Sequence, residues 1–201
     1  MIVLFTTVAL VVSTQHVSSE TCTYDRTAML ALDEKRFDQD MNGGWRKLSN
    51  NGCDLEGADL IKEWRNTHAS QDSILYWHEG QLRANAGQSQ VAITLFERSR
   101  KTPAVDAGFG WNLYVDGTIA FLRHNRSGLK AARRQLARLP RPKDFNPVGP
   151  DGKLISVAWP MNLNVLDGFA MCWGQPYKKA YSCAKPMFKY SIPSAAADRG
   201  R

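Results

Sequence analysis

The feature that most constrains this chain is a pair of small residues set around a tight turn. In "HEGQLRANAGQSQVAITLF", residues 78–96, Gly80 stands mid-helix with no turn residue beside it. A glycine in a helix interior costs about 1 kcal/mol relative to alanine. Close approach of another helix is the usual compensation. Ala92 is the matching small residue twelve positions on, a turn near Gly87 lies between, and Phe96 follows one helical turn after Ala92. Helix, tight turn, helix, with small residues where the two cross, describes an antiparallel helical hairpin. His78-Glu79 also opens the helical zinc signature of metalloproteases. That signature needs a second His four residues after the first, and Leu82 stands there. With the remaining histidines at 16, 68 and 124, no metal site and no cofactor are expected.

The rest of the chain also reads as helices. Residues 24–39 form one, with Ala28, Leu32 and Phe37 on a shared face, and Asn42-Gly43-Gly44 breaks the pattern after it. Residues 53–66 form another, with Asp54 as N-cap and Leu60, Ile61 and Trp64 as a buried stripe. Pro103, Gly108 and Gly110 interrupt, and two further helices cover 112–125 and 126–140. In the second, Leu129, Ala132, Leu136 and Leu139 fall at helical spacing and Pro140 stops the run. Four prolines between 140 and 150 mark a linker or an extended wrap over the core. Beyond it, Met161, Leu163 and Val165 alternate like a strand, while Leu163, Leu166 and Phe169 equally suit a helix; Pro176 can open a short helix. The expected class is all-α: a helical domain over 20–140, a Pro-rich linker over 141–152, and an irregular C-terminal segment, 153–201, packed on the helices.

The small–small–bulky order resembles a tetratricopeptide repeat. That family carries a small residue in its first helix, another twelve later, a bulky aromatic four beyond, and a proline at the exit. Gly80, Ala92, Phe96 and, one place early, Pro103 match over residues 73–103. Ala120, Ala132, Leu136 and Pro140 repeat the order forty residues on, and Trp45, Leu48 and Ala58 outline a shorter first hairpin. Three such hairpins would bury one another's faces. An irregular helical domain without repeats is the competing reading. The resemblance implies a scaffold that binds another protein or peptide in a concave groove. Trp77, Gln81 and Asn85 would line it from the middle hairpin, and Tyr114, Phe121, His124 and Asn125 from the next. Taken one by one, Trp77 and Phe121 read equally well as core.

Residues 1–19 hold no Lys, Arg, Asp or Glu, and an apolar run at 2–12 precedes a polar stretch. This reads as a secretory signal peptide cleaved before Glu20. The run is too short for a transmembrane anchor, which needs roughly 20 residues. The expected location is therefore the bacterial periplasm or outside the cell. Cys22, Cys53, Cys172 and Cys183 form an even set, which in an exported chain points to two disulfides. Three pairings are open.

Charge marks a second surface. The formal net charge is +7, and residues 123–143 hold eight Lys or Arg and no acid. Arg126, Lys130, Arg133, Arg134, Arg138 and Arg141 spread along the side opposite the leucines. They are either the solvated face of an amphipathic helix or a surface for an acidic partner; export argues against nucleic acid. No nucleophile elbow, phosphate loop or dinucleotide fingerprint is present, so no catalytic residue is assigned. The enzyme alternative is an envelope-polymer hydrolase using a carboxylate–histidine site. His78 with Glu79 leads, and Asp38, Asp40, Asp106 and Asp116 are further carboxylates able to pair in space.

Overall fold

The computed structural model describes residues 22–106, 108–148 and 152–185. The expected signal peptide and the end of the C-terminal segment lie outside them. The fold is all-α. In chain order the helices are α1 (Arg26–Leu30), a π-helical turn (Lys35–Gln39), α2 (Arg46–Asn50), α3 (Asp54–Thr67), α4 (Ser73–Asn85) and α5 (Ser89–Arg98). They continue with α6 (Pro103–Asp106), α7 (Trp111–Leu122), α8 (Arg126–Leu136), α9 (Leu163–Met171) and α10 (Tyr177–Tyr181). Among the described residues there is no β-strand; Val148 and Leu154 form an isolated antiparallel bridge.

The hairpin at 73–98 forms as its spacing predicts. Asp72 caps α4 by accepting from the Ile74 N–H, and Gly87 turns the chain with φ +80°. Gly80 is the contact point: a Cβ placed there would lie 2.7 Å from the Phe96 ring. A second hairpin, α7–α8, packs beside it, and Asn125 caps α8 by accepting from the Gly128 N–H. α9 crosses α7 and α8, with Leu166 seated over Gly117, and α10 lies on α4.

Two expectations are corrected. The helix over 24–39 is not continuous. The carbonyls of Leu30 and Leu32, which a continuous helix would commit to residues 34 and 36, are bonded by His68 and by the Trp64 indole of α3. α1 therefore ends, the chain re-enters as a π-helical turn, and Ala28 is exposed while Phe37 is buried. Asp54 is not an N-cap either. Cys53 occupies that place without a side-chain cap, and the Asp54 carboxylate bonds other side chains.

The open choices resolve. Residues 163–171 are helix, and within the Pro-rich stretch Phe145 packs on Trp159, whose indole donates to the Leu139 carbonyl. The disulfides join Cys22 to Cys53 and Cys172 to Cys183, with Cα separations of 5.6 and 6.4 Å. None of the described helices is long and apolar enough to cross a membrane. Two disulfides are compatible with an oxidising, extracellular setting.

Candidate functional site

Helix α4 organises the molecule, because it is covered on almost every side. At 3.6 residues per turn its residues sort into four stripes. Leu75 and Leu82 enter an N-terminal core with Phe37, Trp45, Ile61 and Trp64. Trp77 and Ala84 enter the second core with Phe96, Tyr114, Phe121 and Phe169. Tyr76, Glu79 and Arg83 face α3. His78, Gln81 and Asn85 face a cavity closed by α2 and α10.

The α3 side holds a buried ion network. Glu79 is 2% exposed and bonds Arg65; Arg83 lies 3.7 Å from the same carboxylate and bonds Asp59 at 2.5 Å. The Arg65 guanidinium also covers the Tyr76 ring at 3.9 Å. Every charge in this set has a partner, so the network is structural. His78 and Glu79 do not form a site together, because neighbours on a helix point about 100° apart.

The cavity side is different. Gly44, with φ +50°, lets the chain turn tightly against the Phe37 backbone, where a side chain would clash. That turn brings Trp45 under the π-helical turn. Asp38, 0% exposed, accepts from the Trp45 indole at 2.9 Å and pairs with His78 Nδ1 at 2.7 Å, both on Oδ1. Burial pushes the Asp38 carboxyl up. The hydrogen bond and charge of His78, the Trp45 indole and Arg46 outweigh it and hold the group below its ordinary value. Arg46 lies over the Trp45 ring at 4.3 Å and donates to the Asp38 carbonyl. Burial lowers its pKa, opposed by Asp38 and Asp40, and a guanidinium stays charged regardless.

The cavity encloses about 280 Å³ and is lined by Trp45, Arg46, Ser49, His78, Gln81, Leu82, Asn85, Tyr177, Lys178 and Tyr181. Its far wall is α10. Lys178 Nζ reaches Asp54 at 2.7 Å, and Asn85 and Ser49 donate to the other oxygen of the same carboxylate. Tyr177 inserts between Phe96, Phe121 and Phe169. Burial, with Tyr181 adding to it, pushes the Tyr177 phenol well above its ordinary value. Its hydroxyl is fully buried and meets no strict hydrogen-bond partner among the described residues, with the Gln81 amide nearby.

The expected groove residues are thus divided. Gln81 and Asn85 line the cavity. Trp77, Tyr114 and Phe121 are core side chains: Trp77 packs on Phe96 and Tyr114, and Phe121 stacks on Phe169 of α9. These three do not line an open groove, because α9 and α10 lie over that face and large aromatic rings are driven out of water. His124 sits exposed in the turn after α7 with φ +53°, and Asn125 is the α8 cap. The six basic residues are all exposed. Arg133 pairs with Asp167, and Arg126 and Arg141 lie near the Trp173 and Phe145 rings. Lys130, Arg134 and Arg138 have no partner among the described residues.

Sequence reasoning missed Trp45, Arg46, Ser49, Tyr177, Lys178 and Tyr181 as site residues. The readable signal was the polar spacing His78, Gln81, Asn85 along one side of α4. A larger cavity, about 440 Å³, lies between α8 and α9. There Arg133 and Asp167 are paired and Asn164 donates to the Lys185 carbonyl, which leaves it less open hydrogen-bonding capacity. Cys22, Cys53 and Glu56 lie close enough to suggest a metal site, but both sulfurs are joined in a disulfide. No family model, curated protein or solved structure matches this chain.

Proposed function

We propose that the chain is an exported, non-catalytic binding protein of the bacterial cell envelope. It is built on tetratricopeptide-like hairpins and holds an acidic protein or peptide on the basic face of α8. One version is an inhibitor or immunity-type protein; another is an assembly factor. The observation that carries the reading is the row Arg126, Lys130, Arg134 and Arg138. It runs exposed along α8 and the following turn, opposite the buried Leu129, Ala132 and Leu136, and three of its members have no partner among the described residues. Like charges one helical turn apart repel by a few tenths of a kcal/mol per pair. An acidic partner relieves that repulsion and is steered to it. The groove that the resemblance implies is covered by α9 and α10, so the basic face takes its place as the contact surface.

The test is a pull-down from envelope extract with the oxidised protein lacking residues 1–19, beside Lys130→Glu/Arg134→Glu/Arg138→Glu. A specific acidic protein, eluted by salt and lost from the triple variant, supports the reading. Equal capture by both proteins overturns it. The hydrolase reading is favoured by one observation: Asp38 orients His78 so that Nε2 has no partner among the described residues beside a cavity, as a general base requires. Turnover of an envelope polymer, abolished by His78→Ala, would establish it.

A further inference from the structure

We propose that the pocket between α6, the start of α7 and the turn before α9 binds a small amphipathic carboxylate: an apolar body that carries one acid group. None of its lining residues belongs to the basic face of α8 or to the cavity beside His78, so it holds or fails independently of both.

The pocket encloses about 410 Å³ and is lined by Lys101, Val105, Phe109, Trp111, Met161 and Asn162. Small-molecule sites span roughly 300–1,000 Å³ and are mostly apolar, with a few placed polar groups. Here Lys101 and Asn162 are the polar groups. Val105 and Phe109 are 63% and 44% exposed, so apolar area still faces water and is covered when an apolar ligand enters.

The walls are fixed before a ligand arrives. The Trp111 indole donates to the Ser99 carbonyl at 2.8 Å, and its ring packs edge-on against Trp77. Phe109 packs against Phe145 and Trp159. Asn112 accepts from the Lys101 N–H at 3.0 Å and donates to the Lys101 carbonyl at 2.8 Å, which pins the backbone beneath the ammonium. A site set in advance loses less freedom on binding.

Two polar groups remain open. Lys101 Nζ lies 5.0 Å from the centroid of the Trp111 ring and pairs with no acid among the described residues. An ammonium carries three donors, and a ring face does not accept them as a carboxylate does. The acids nearby are committed. Asp106 does not line the pocket and turns both oxygens to the Asn112 N–H, while Glu97 and Asp116 pair with Arg100. Asn162 precedes α9 with φ +63°, and its side chain does not cap that helix, although asparagine is a preferred cap. Its amide bonds no other group among the described residues. Lys101 and Asn162 are half-buried and not sealed, so a ligand in the pocket reaches both.

Charge and hydrogen bonding select the ligand. One ammonium matches one negative charge, and a carboxylate accepts from both the ammonium and the amide N–H. A phosphate dianion would need more positive charge. A neutral sugar fits less well: its hydroxyls need acceptors, and the lining side chains offer one strong acceptor, the Asn162 amide oxygen. The apolar body can be an acyl chain or an aryl ring, and the experiment separates the two.

The oxidised protein is titrated calorimetrically with octanoate, 3-phenylpropanoate, the primary amides of both acids, and acetate. At least one of the two larger acids binds, its amide binds about ten-fold more weakly, and acetate does not bind measurably. The acid that binds more tightly names the body; equal affinities mean that apolar area alone is read. Lys101→Met keeps an apolar stem against Trp111 and removes the charge. It loses about ten-fold in affinity for the acid, keeps the parent's affinity for the amide and melts at the parent's temperature. Val105→Glu, at an exposed position, weakens acid binding by repulsion and leaves the melting temperature unchanged. The proposal is overturned if neither larger acid binds, if the amides or acetate bind as tightly as the acids, or if Lys101→Met or Val105→Glu binds the acid as the parent does.

Discussion

Gly80→Ala tests the contact that defines the central hairpin. The new Cβ lands 2.7 and 2.8 Å from two atoms of the Phe96 ring, where carbon–carbon contacts normally sit near 3.5–4.0 Å. The ring must therefore retreat by about 1 Å. It is fully buried, and the Trp77 ring centroid lies only 4.4 Å from its own. Overpacking of this kind costs about 1–3 kcal/mol, and alanine returns about 1 kcal/mol of helix propensity. The net is a destabilisation near 1 kcal/mol, or a melting point about 2–4 °C lower for a chain of this size. The two contributions separate in a Phe96→Leu background. With the ring gone, Gly80→Ala should stabilise, and the coupling between the positions should be about 1–3 kcal/mol by urea unfolding followed by circular dichroism. Equal stabilisation in both backgrounds would refute the reasoning, since the ring would then not be what demands glycine.

Glu79→Ala strips the shared carboxylate from buried Arg65 and Arg83 and should cost about 3–5 kcal/mol in urea unfolding; a loss below about 1 kcal/mol would contradict the network. Removing the Cys172–Cys183 bridge, which spans 11 positions, should cost about 3 kcal/mol, and removing Cys22–Cys53, which spans 31, about 4 kcal/mol. Calorimetry of the two double serine variants gives the order, and the reverse order would count against the loop-length argument. Asp38 is held below its ordinary value of 3.8. Its contribution is therefore present above that value and fades as pH falls through the lower folded value. Asp38→Asn should be less stable than the parent at pH 6, with the gap narrowing towards pH 2. A gap independent of pH would mean that the carboxylate is not the stabilising form.

The elements were legible because their causes are local. Helix bonds join residues four apart, so Gly80, Gly87, Ala92 and Phe96 announce a hairpin within one short stretch. The all-α class and the even cysteine set were also legible in composition and periodicity. The choice among three cysteine pairings was not, since it depends on which chain ends meet. The break after Leu30 was hidden as well: it is made by Trp64 and His68, more than thirty positions away. The candidate site was hidden for the same reason. His78 meets Asp38 across 40 positions, and Lys178 meets Asp54 across 124. Trp77 and Phe121 looked equally fit for a groove or a core, and Tyr114 for a groove, because an aromatic ring carries no mark of which surface will cover it. By itself the sequence determined helices, their turns and a basic stripe, all set by interactions within a few residues. Only the tertiary structure decided that α9 and α10 close over the aromatic face and that His78, Gln81 and Asn85 meet a cavity walled by α10, because burial is a property of what packs on a side chain and not of the side chain alone.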